Sequence, residues 1–592
     1  MNLVHVWKDN RRRTEILEVF LIVFLICFVL LKNLDQLNGI YIIGDEYGYW
    51  AAGAYFAGMD WSEVTTLNSY YSYGYGFLLT LILYVAPDMI WAYKAAIVLN
   101  TVMVLSSFFL LIKISEKLFS RIQKKYSILL CGCVVLYSNV VFQAQTTQAE
   151  ILLFFLFCLM VYILLKFLET GSLFSGLLTS VISAYMFMVH MRCIAIWVAW
   201  IITVLLLFGK KQYHKGCILL ILILGILLLW AGLMMKNVIK EDAYLTSSAE
   251  EKVGEEELAV VENNTNEFSG QVENIKRLFT MEGLKQFIVG YLGKIYYLCV
   301  STFLIIFWAV RYLVLCIKDF FMENRKDQTV QRSAFFSFFL LLSLILTVAV
   351  SALFMITVYR QDNLVYGRYN EHILGPFLLI GLMELTKEQE KISRHISFIE
   401  ILIFMTVLMH WTMENLEAQA LYDNNVVGIY YWADSLIPNV GADNFVLPVS
   451  CMIIVIYLLL RFVTSSLVSM SVRCLTLAGL CAVVWINVGY GTIIHNTLSQ
   501  QKNLETDYAI YQNVKDGFPV YFVNSESMFE YVDYLQFFHG DKKLRVVDIK
   551  RLPYLENGAY VFGYSTVPFE NLKESYICQG RSKHFVLYQK VY

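Results

Sequence analysis

The sequence predicts an α-helical polytopic membrane protein of about 13 transmembrane helices, followed by a small α/β domain outside the membrane. Three observations carry that prediction. The 592 residues are 58% hydrophobic and 16% charged, with a mean hydropathy of +0.58, too apolar for a soluble globular chain. Apolar runs long enough to cross a bilayer core of roughly 30 Å recur throughout residues 1–495. From 496 to 592 the pattern changes to short β-type runs alternating with helical ones.

Taken in order, the chain opens with Lys8 and Arg11-Arg12-Arg13 ahead of an apolar run at 15–32 that lacks a small-residue cleavage site, the pattern of an uncleaved signal anchor. Further spans are expected near 90–113, 126–143, 147–168, 172–190, 193–208 and 216–236. The remaining six fall near 288–317, 333–358, 366–386, 396–413, 446–464 and 470–495. The apolar run 73–86 is short and ends at Pro87-Asp88. If it does not cross, the basic loops at 113–125, 210–215, 318–332 and 387–394 all share the side of the basic N-terminus, as the positive-inside rule requires. It is therefore expected to be re-entrant or interfacial. The N-terminus is then cytoplasmic, and a first loop at 33–89, a Glu-rich segment at 237–287, the 414–445 loop and the C-terminal domain lie on the opposite face.

In the last hundred residues, Val520 to Val523, Leu544 to Val547, Tyr560 to Phe562 and Phe585 to Tyr588 read as strands, and Thr506 to Lys515 and Met528 to Phe538 as helices. The net charge of −2 and the absence of a basic tract with interleaved aromatics exclude nucleic acid as a partner. Most of the 12 cysteines sit inside apolar runs, where Cys behaves as a small hydrophobe, so neither a disulfide framework nor structural zinc is expected.

The first loop carries the strongest chemical signal. No Lys or Arg occurs from Asn33 to Tyr93, yet Asp35, Asp45, Glu46, Asp60, Glu63 and Asp88 lie there. Asp45 and Glu46 stand together where an Ala/Gly/aromatic helix pattern begins, and an uncompensated acidic pair at a membrane face suits a proton acceptor or a metal ligand. Tyr49 and Trp50 follow on the same helix, and Tyr71 and Tyr73 at the far end of the loop extend an aromatic groove. Glu150 opens a Leu/Phe-rich span, and the charge-derived topology puts it on the same side as Asp45. His190-Met191-Arg192, Lys94 and Gly367-Arg368-Tyr369 fall on that side too. An Arg fork makes bidentate bonds to phosphate and stays charged at a membrane surface. The competing reading of each is ordinary: a helix cap for Asp45, first-turn acids for Glu46 and Glu150, snorkelling cations for Lys94 and Arg192.

This arrangement resembles the GT-C superfamily of polyprenyl-phosphate-sugar-dependent glycosyltransferases, in particular the protein O-mannosyltransferase and aminoarabinose transferase branch. The likeness rests on Asp45-Glu46-Tyr47 with Ala51-Ala52-Gly53, Gly58-Met59-Asp60-Trp61, Tyr71-Ser72-Tyr73-Gly74, Trp91-Ala92-Tyr93-Lys94 with Asn100, Glu150, and Gly367-Arg368-Tyr369. It covers residues 15–390. Tyr-Ser-Tyr-Gly stands where many relatives have a Lys-Pro-Pro-type turn, and Glu150 where an Asp is common. The resemblance implies an inverting transfer on the outer face of the membrane. Asp45 would act as base with Glu46 beside it, and Lys94, Arg192 and Arg368 would hold the donor phosphate. A divalent metal, if one takes part, would be expected at Glu150 or Glu46, with His190 a weaker ligand. The implied partners are a polyprenyl-phosphate-linked sugar such as an undecaprenyl one, membrane lipids, and a glycan, lipid or protein acceptor. Loops rich in Tyr, Lys and Asn point to a bacterial plasma membrane and cell-envelope glycosylation. Two other classes compete: a transporter or flippase of lipid-linked glycans, and a non-catalytic cell-envelope assembly protein.

Overall fold

Eight helices of the computed structural model are long and apolar enough to cross a membrane, among the described residues: Arg13–Gln36, Met89–Leu118, Glu150–Thr170, Lys215–Ala243, Gln328–Phe354, Ile392–Glu414, Val446–Val463 and Met470–Gly491. The chain is thus a multi-pass membrane protein. The structure describes residues 3–41, 44–65, 72–120, 122–210, 213–244, 268–322, 327–357, 360–387, 392–416, 421–432, 445–464, 469–524, 531–565 and 575–591.

All thirteen apolar segments are helical, but five are not single long helices, so length and apolarity do not support thirteen uniform spans. Leu173–Val189, Met191–Leu207 and Leu374–Leu385 are shorter. The segment expected at 126–143 breaks into Lys124–Val134 and Ser138–Gln143. The segment expected at 288–317 is a pair, Met281–Ser301 and Ile305–Met322, bent by 109°. At the bend Phe303 and Leu304 take left-handed φ values of 53° and 62°, which cost about 1–2 kcal/mol each for residues with a side chain. Phe303 is held there by stacking on Trp485 at 5.5 Å between ring centres. A sequence window sees only that both halves are apolar.

The run 73–86 forms an eight-residue helix, Gly76–Leu83. At 1.5 Å per residue it rises about 12 Å, too little to cross the core. It packs on the helix Asp45–Phe56 through small residues, and a Cβ on Gly76 would lie 2.9 Å from the backbone nitrogen of Gly53. The Glu-rich segment is helical at both ends, to Ala243 and from Phe268, and its middle lies outside the described residues.

Among its described residues the C-terminal domain holds five strands: β1 Val520–Asn524, β2 Arg545–Asp548, β3 Tyr560–Tyr564, β4 Tyr576–Arg581 and β5 Phe585–Lys590. Their order is β2-β1-β3-β5-β4, with β1 parallel to β2 and β3, and β5 antiparallel to β3 and β4. Sequence reading finds four of them. It misses β4, an edge strand whose central residues are exposed and whose pairing shifts between Cys578 and Gly580, so it shows no clean apolar alternation. The last long helix does not stop at 495 but runs through Ile493–Thr497 into Leu498–Tyr511, so the membrane part and the domain share one helical rod.

The domain sits on the first loop. Trp61 Nε1 donates to the carbonyl of Gly540 at 2.7 Å, the Val546 amide donates to Glu63 Oε2 at 2.9 Å, and Lys543 Nζ lies 2.8 Å from Asp60 Oδ2. Two of the loop's acids, Asp60 and Glu63, unbalanced in the local sequence, are thus matched by Lys543 far along the chain.

Candidate active site

The helix Asp45–Phe56 enters through Gly44, whose φ of 73° turns the backbone where a side chain would be strained. Asp533 of the C-terminal domain accepts the Gly44 amide at 3.2 Å. Glu46 through Ala54 are buried, so this short helix lies inside the protein. Against it runs 144–149, a fully buried connection between Ser138–Gln143 and the Glu150 helix.

Glu46 pins those pieces together. Its Oε1 accepts the Tyr41 amide at 2.7 Å, and its Oε2 accepts the Tyr93 hydroxyl at 3.0 Å, the Thr147 amide at 2.6 Å and the Thr147 hydroxyl at 2.5 Å. Trp50 Nε1 reaches the same Thr147 hydroxyl at 2.9 Å and packs edge-on against Phe537. Glu46 thus ties Tyr41, Tyr93 and Thr147 to the helix Asp45–Phe56.

Asp45, one residue earlier, faces a different set. Its Oδ2 is salt-bridged to Arg368 and accepts from Gln148 Nε2 at 3.2 Å. Arg368 Nε continues to Glu150 Oε1 at 2.8 Å, and Arg192 Nη2 reaches that oxygen at 2.9 Å. The result is a continuous line of charge, Asp45, Arg368, Glu150, Arg192, drawn from four parts of the chain. The Glu150, Arg192 and Arg368 side chains are 2%, 1% and 4% exposed, whereas Asp45 is 21% exposed, so Asp45 is the accessible end of the line.

The line is not saturated. Arg192 Nε and Nη1 and Glu150 Oε2 are buried without hydrogen-bond partners. Unmet donors on a buried guanidinium are costly, and a ligand with anionic oxygens would meet them. Tyr369 supports the Arg192 plane at 4.6 Å and is flanked by His190 at 5.4 Å and Tyr366 at 4.7 Å. His190 Nδ1 accepts the Arg192 amide at 3.3 Å, capping the turn that presents the guanidinium. Lys236, in the apolar helix Lys215–Ala243, brings a further buried cation to Met191, with its Nζ 3.9 Å from the sulfur.

The structure thus brings together Asp45, Glu150, His190, Arg192, Arg368 and Tyr369, with buried Tyr49 beside them on the Asp45 helix. Lys94 does not join them: its Nζ donates to the carbonyl of Asp35 at 3.2 Å. Tyr73 is engaged elsewhere, its hydroxyl on the carbonyl of Gly232 at 2.9 Å, and Tyr71 lies outside the described residues. Gln148 and Lys236 were missed by sequence reasoning. Gln148 looks like loop filler, and Lys236, at the end of an apolar run, carries the signature of a snorkelling cation.

Among the described residues no group of three or more His, Cys, Asp or Glu could hold a metal ion. The donor set expected to do so does not fit one. Both Glu46 oxygens accept hydrogen bonds, Glu150 is bound by two guanidiniums, and His190 faces Arg192 and Tyr369. Two positive charges on the central carboxylate would repel a divalent ion, and they already provide positive charge for an anion.

No protein-family profile matches the sequence, nor does any curated protein. Solved structures do resemble the chain. ArnT from Cupriavidus metallidurans bound to undecaprenyl phosphate superposes with a TM-score of 0.48 at 10% identity, covering 96% of this chain and 97% of that one. The archaeal oligosaccharyltransferase AglB from Archaeoglobus fulgidus, in complex with an inhibitory peptide and a dolichol-phosphate, gives 0.45 at 8% identity over 94% of this chain and 70% of its own. The arabinosyltransferase EmbB from Mycobacterium smegmatis gives 0.42 at 12% identity over 80% of this chain and 41% of its own.

Proposed function

We propose that the chain is an integral-membrane glycosyltransferase of the GT-C type, which moves a sugar from a polyprenyl-phosphate donor to an acceptor hydroxyl at the non-cytoplasmic face. One observation supports this above the others: a partly exposed carboxylate, Asp45, stands at the end of a buried line of charge whose far guanidinium, on Arg192, has donors left unmet.

A sugar carried on a lipid phosphate already has a good leaving group. The protein must therefore orient and deprotonate the acceptor, stabilise the departing phosphate and keep water out. Asp45 takes the proton of the acceptor hydroxyl as that oxygen forms its bond to the anomeric carbon. The anomeric carbon–oxygen bond to phosphate breaks on the opposite side, so the configuration inverts. The freed lipid phosphate gains charge, which Arg192 and Arg368 offset at close range in a site of low dielectric. Glu150 holds the two guanidiniums side by side, and Tyr369 keeps the Arg192 plane in place. Glu46 is assigned to the scaffold rather than to the reaction.

The test is transfer of radiolabelled sugar from polyprenyl-phosphate donors in membranes holding the wild type or Asp45→Asn at equal abundance. Transfer by the wild type and its loss in a folded Asp45→Asn variant supports the reading. Donor moved across the bilayer without transfer, unaffected by Asp45→Asn, makes the protein a lipid-glycan transporter instead.

A further inference from the structure

A second site lies where the membrane part meets the C-terminal domain. A cavity of about 440 Å³ is lined there by Tyr41, the 421–430 stretch, the continuous helical run Ile493–Thr497 and Leu498–Tyr511, Tyr531, and Lys583 and His584 in the turn between β4 and β5. The volume falls within the range of roughly 300–1,000 Å³ typical of small-molecule sites, but the lining is unusual. Among the described residues Leu421 is its one aliphatic lining residue, and the rest are Tyr, Asp, Asn, Gln, Ser, Lys and His.

These groups are fixed in place. Asp423 Oδ2 accepts from the Tyr41 hydroxyl and from Asn496 Nδ2, each at 2.6 Å. His584 Nδ1 lies 2.7 Å from Oδ2 of Asp507, whose side chain is wholly buried, and this sets the orientation of the imidazole. Tyr531 lies flat on that imidazole, 4.2 Å away and inclined by 19°. A cavity walled by flat rings and by carboxylate and amide groups offers stacking faces together with donors and acceptors. That matches a sugar ring, which has an apolar C–H face and a rim of hydroxyls that both donate and accept. The rim is open enough for a chain to continue outward, since Tyr422 is 52% exposed and Lys583 is exposed as well.

The cavity is also tied to the charged line. Tyr41 gives its hydroxyl to Asp423 on the cavity wall and its amide to Glu46. Tyr41 and Asp45 are four residues apart, at most about 14 Å of extended chain. The cavity wall at Tyr41 is thus joined to Asp45 by a short stretch of chain.

We propose that this cavity binds the glycan part of the acceptor, an uncharged, hydroxyl-rich oligosaccharide, at a position removed from the reacting hydroxyl. The assignment to an acceptor rests on the glycosyltransferase reading above; the binding of carbohydrate does not.

The experiment applies the full-length protein in detergent to a printed array of microbial glycans and titrates the best-bound oligosaccharide. Wild type, Tyr531→Ala, Asn503→Ala, Lys583→Ala and Asp45→Asn are compared, with transfer from polyprenyl-phosphate donors measured in parallel. The proposal expects glycan binding that Asp45→Asn retains and that Tyr531→Ala and Asn503→Ala each weaken about fivefold or more, the loss of roughly one good contact. Asn503 is half-buried and Lys583 exposed, so these two changes keep the test sound if Tyr531→Ala fails to fold. No glycan bound, or binding unchanged in all cavity variants, overturns it. Binding lost in the cavity variants while no donor supports transfer leaves the cavity standing and removes the glycosyltransferase reading. Transfer whose acceptor KM ignores every cavity variant does the reverse.

Discussion

Arg368 Nε donates to Glu150 Oε1 at 2.8 Å across 218 residues of sequence, and Arg192 binds the same oxygen. Glu150 therefore bridges two buried guanidiniums, of which Arg368 also pairs with Asp45. Glu150→Gln removes that bridge and leaves Arg192 without a carboxylate in a poorly solvated site, a change that costs about 3–5 kcal/mol where a buried pair is broken. The expected result is a large fall in thermal stability in detergent. Combining Glu150→Gln with Arg192→Met should recover part of the loss, because one unpaired charge is removed with its partner. Additive losses in that double-mutant cycle would mean the two residues are not coupled.

Arg192 tests the phosphate role. Its Nε and Nη1 have no partner, so Arg192→Gln should weaken binding of the lipid-phosphate donor about 10- to 100-fold, as loss of a charged hydrogen bond does. Arg192→Lys should restore little, since an ammonium lacks the planar fork and cannot lie on Tyr369 in the same way. Initial rates against donor concentration distinguish the outcomes. An unchanged donor KM in both variants would remove Arg192 from the phosphate site.

Adjacent acids should behave differently. Asp45→Asn is expected to lower turnover by about 10²–10⁴-fold, the usual worth of a general base, and to cost less stability than Glu150→Gln because Arg368 keeps Glu150. Glu46→Gln places an amide among the donors from Tyr93 and Thr147, so it should destabilise the fold by about 1–3 kcal/mol. Thermal unfolding and turnover, measured on both variants, separate the roles. Equal effects on turnover at equal stability would return Glu46 to the reacting groups.

The legible and the hidden parts of this protein divide by range. Helix identity in the first 495 residues follows from apolar runs that any window detects, and Asp45, Glu150, Arg192 and Arg368 stand out because charge beside apolar sequence is costly. What a window cannot see is pairing. Asp60 and Glu63 look uncompensated until Lys543 arrives from nearly five hundred residues away, and Glu46 looks like the twin of Asp45 until Thr147 and Tyr93 close on it. The bend at Phe303 and Leu304 is hidden for the same reason: it depends on Trp485, a contact between distant residues. β4 is missed because an edge strand needs no apolar alternation.

The Asp60–Lys543 contact makes docking of the C-terminal domain sensitive to acid. Burial raises the Asp60 carboxyl, but the Lys543 ammonium and hydrogen bonds from the Ser62 hydroxyl and amide outweigh it and hold the group below its ordinary range. A carboxyl lowered in the folded state contributes stability that is fully present above its unfolded value near 4, and that is lost as pH falls through the lowered one. The pair is half exposed, so its share is small, within about 1 kcal/mol. Trp61 reports on the seam, because its indole donates to Gly540 and stacks on Tyr47. As pH falls from neutral to about 3, Trp61 fluorescence and amide exchange around Gly540 to Val546 should show the domain loosening. Asp60→Asn should already be looser at neutral pH, and its difference from wild type should shrink as the wild-type carboxyl takes its proton. A difference that stays constant across that range would show that the ionised form of Asp60 does not hold the domain.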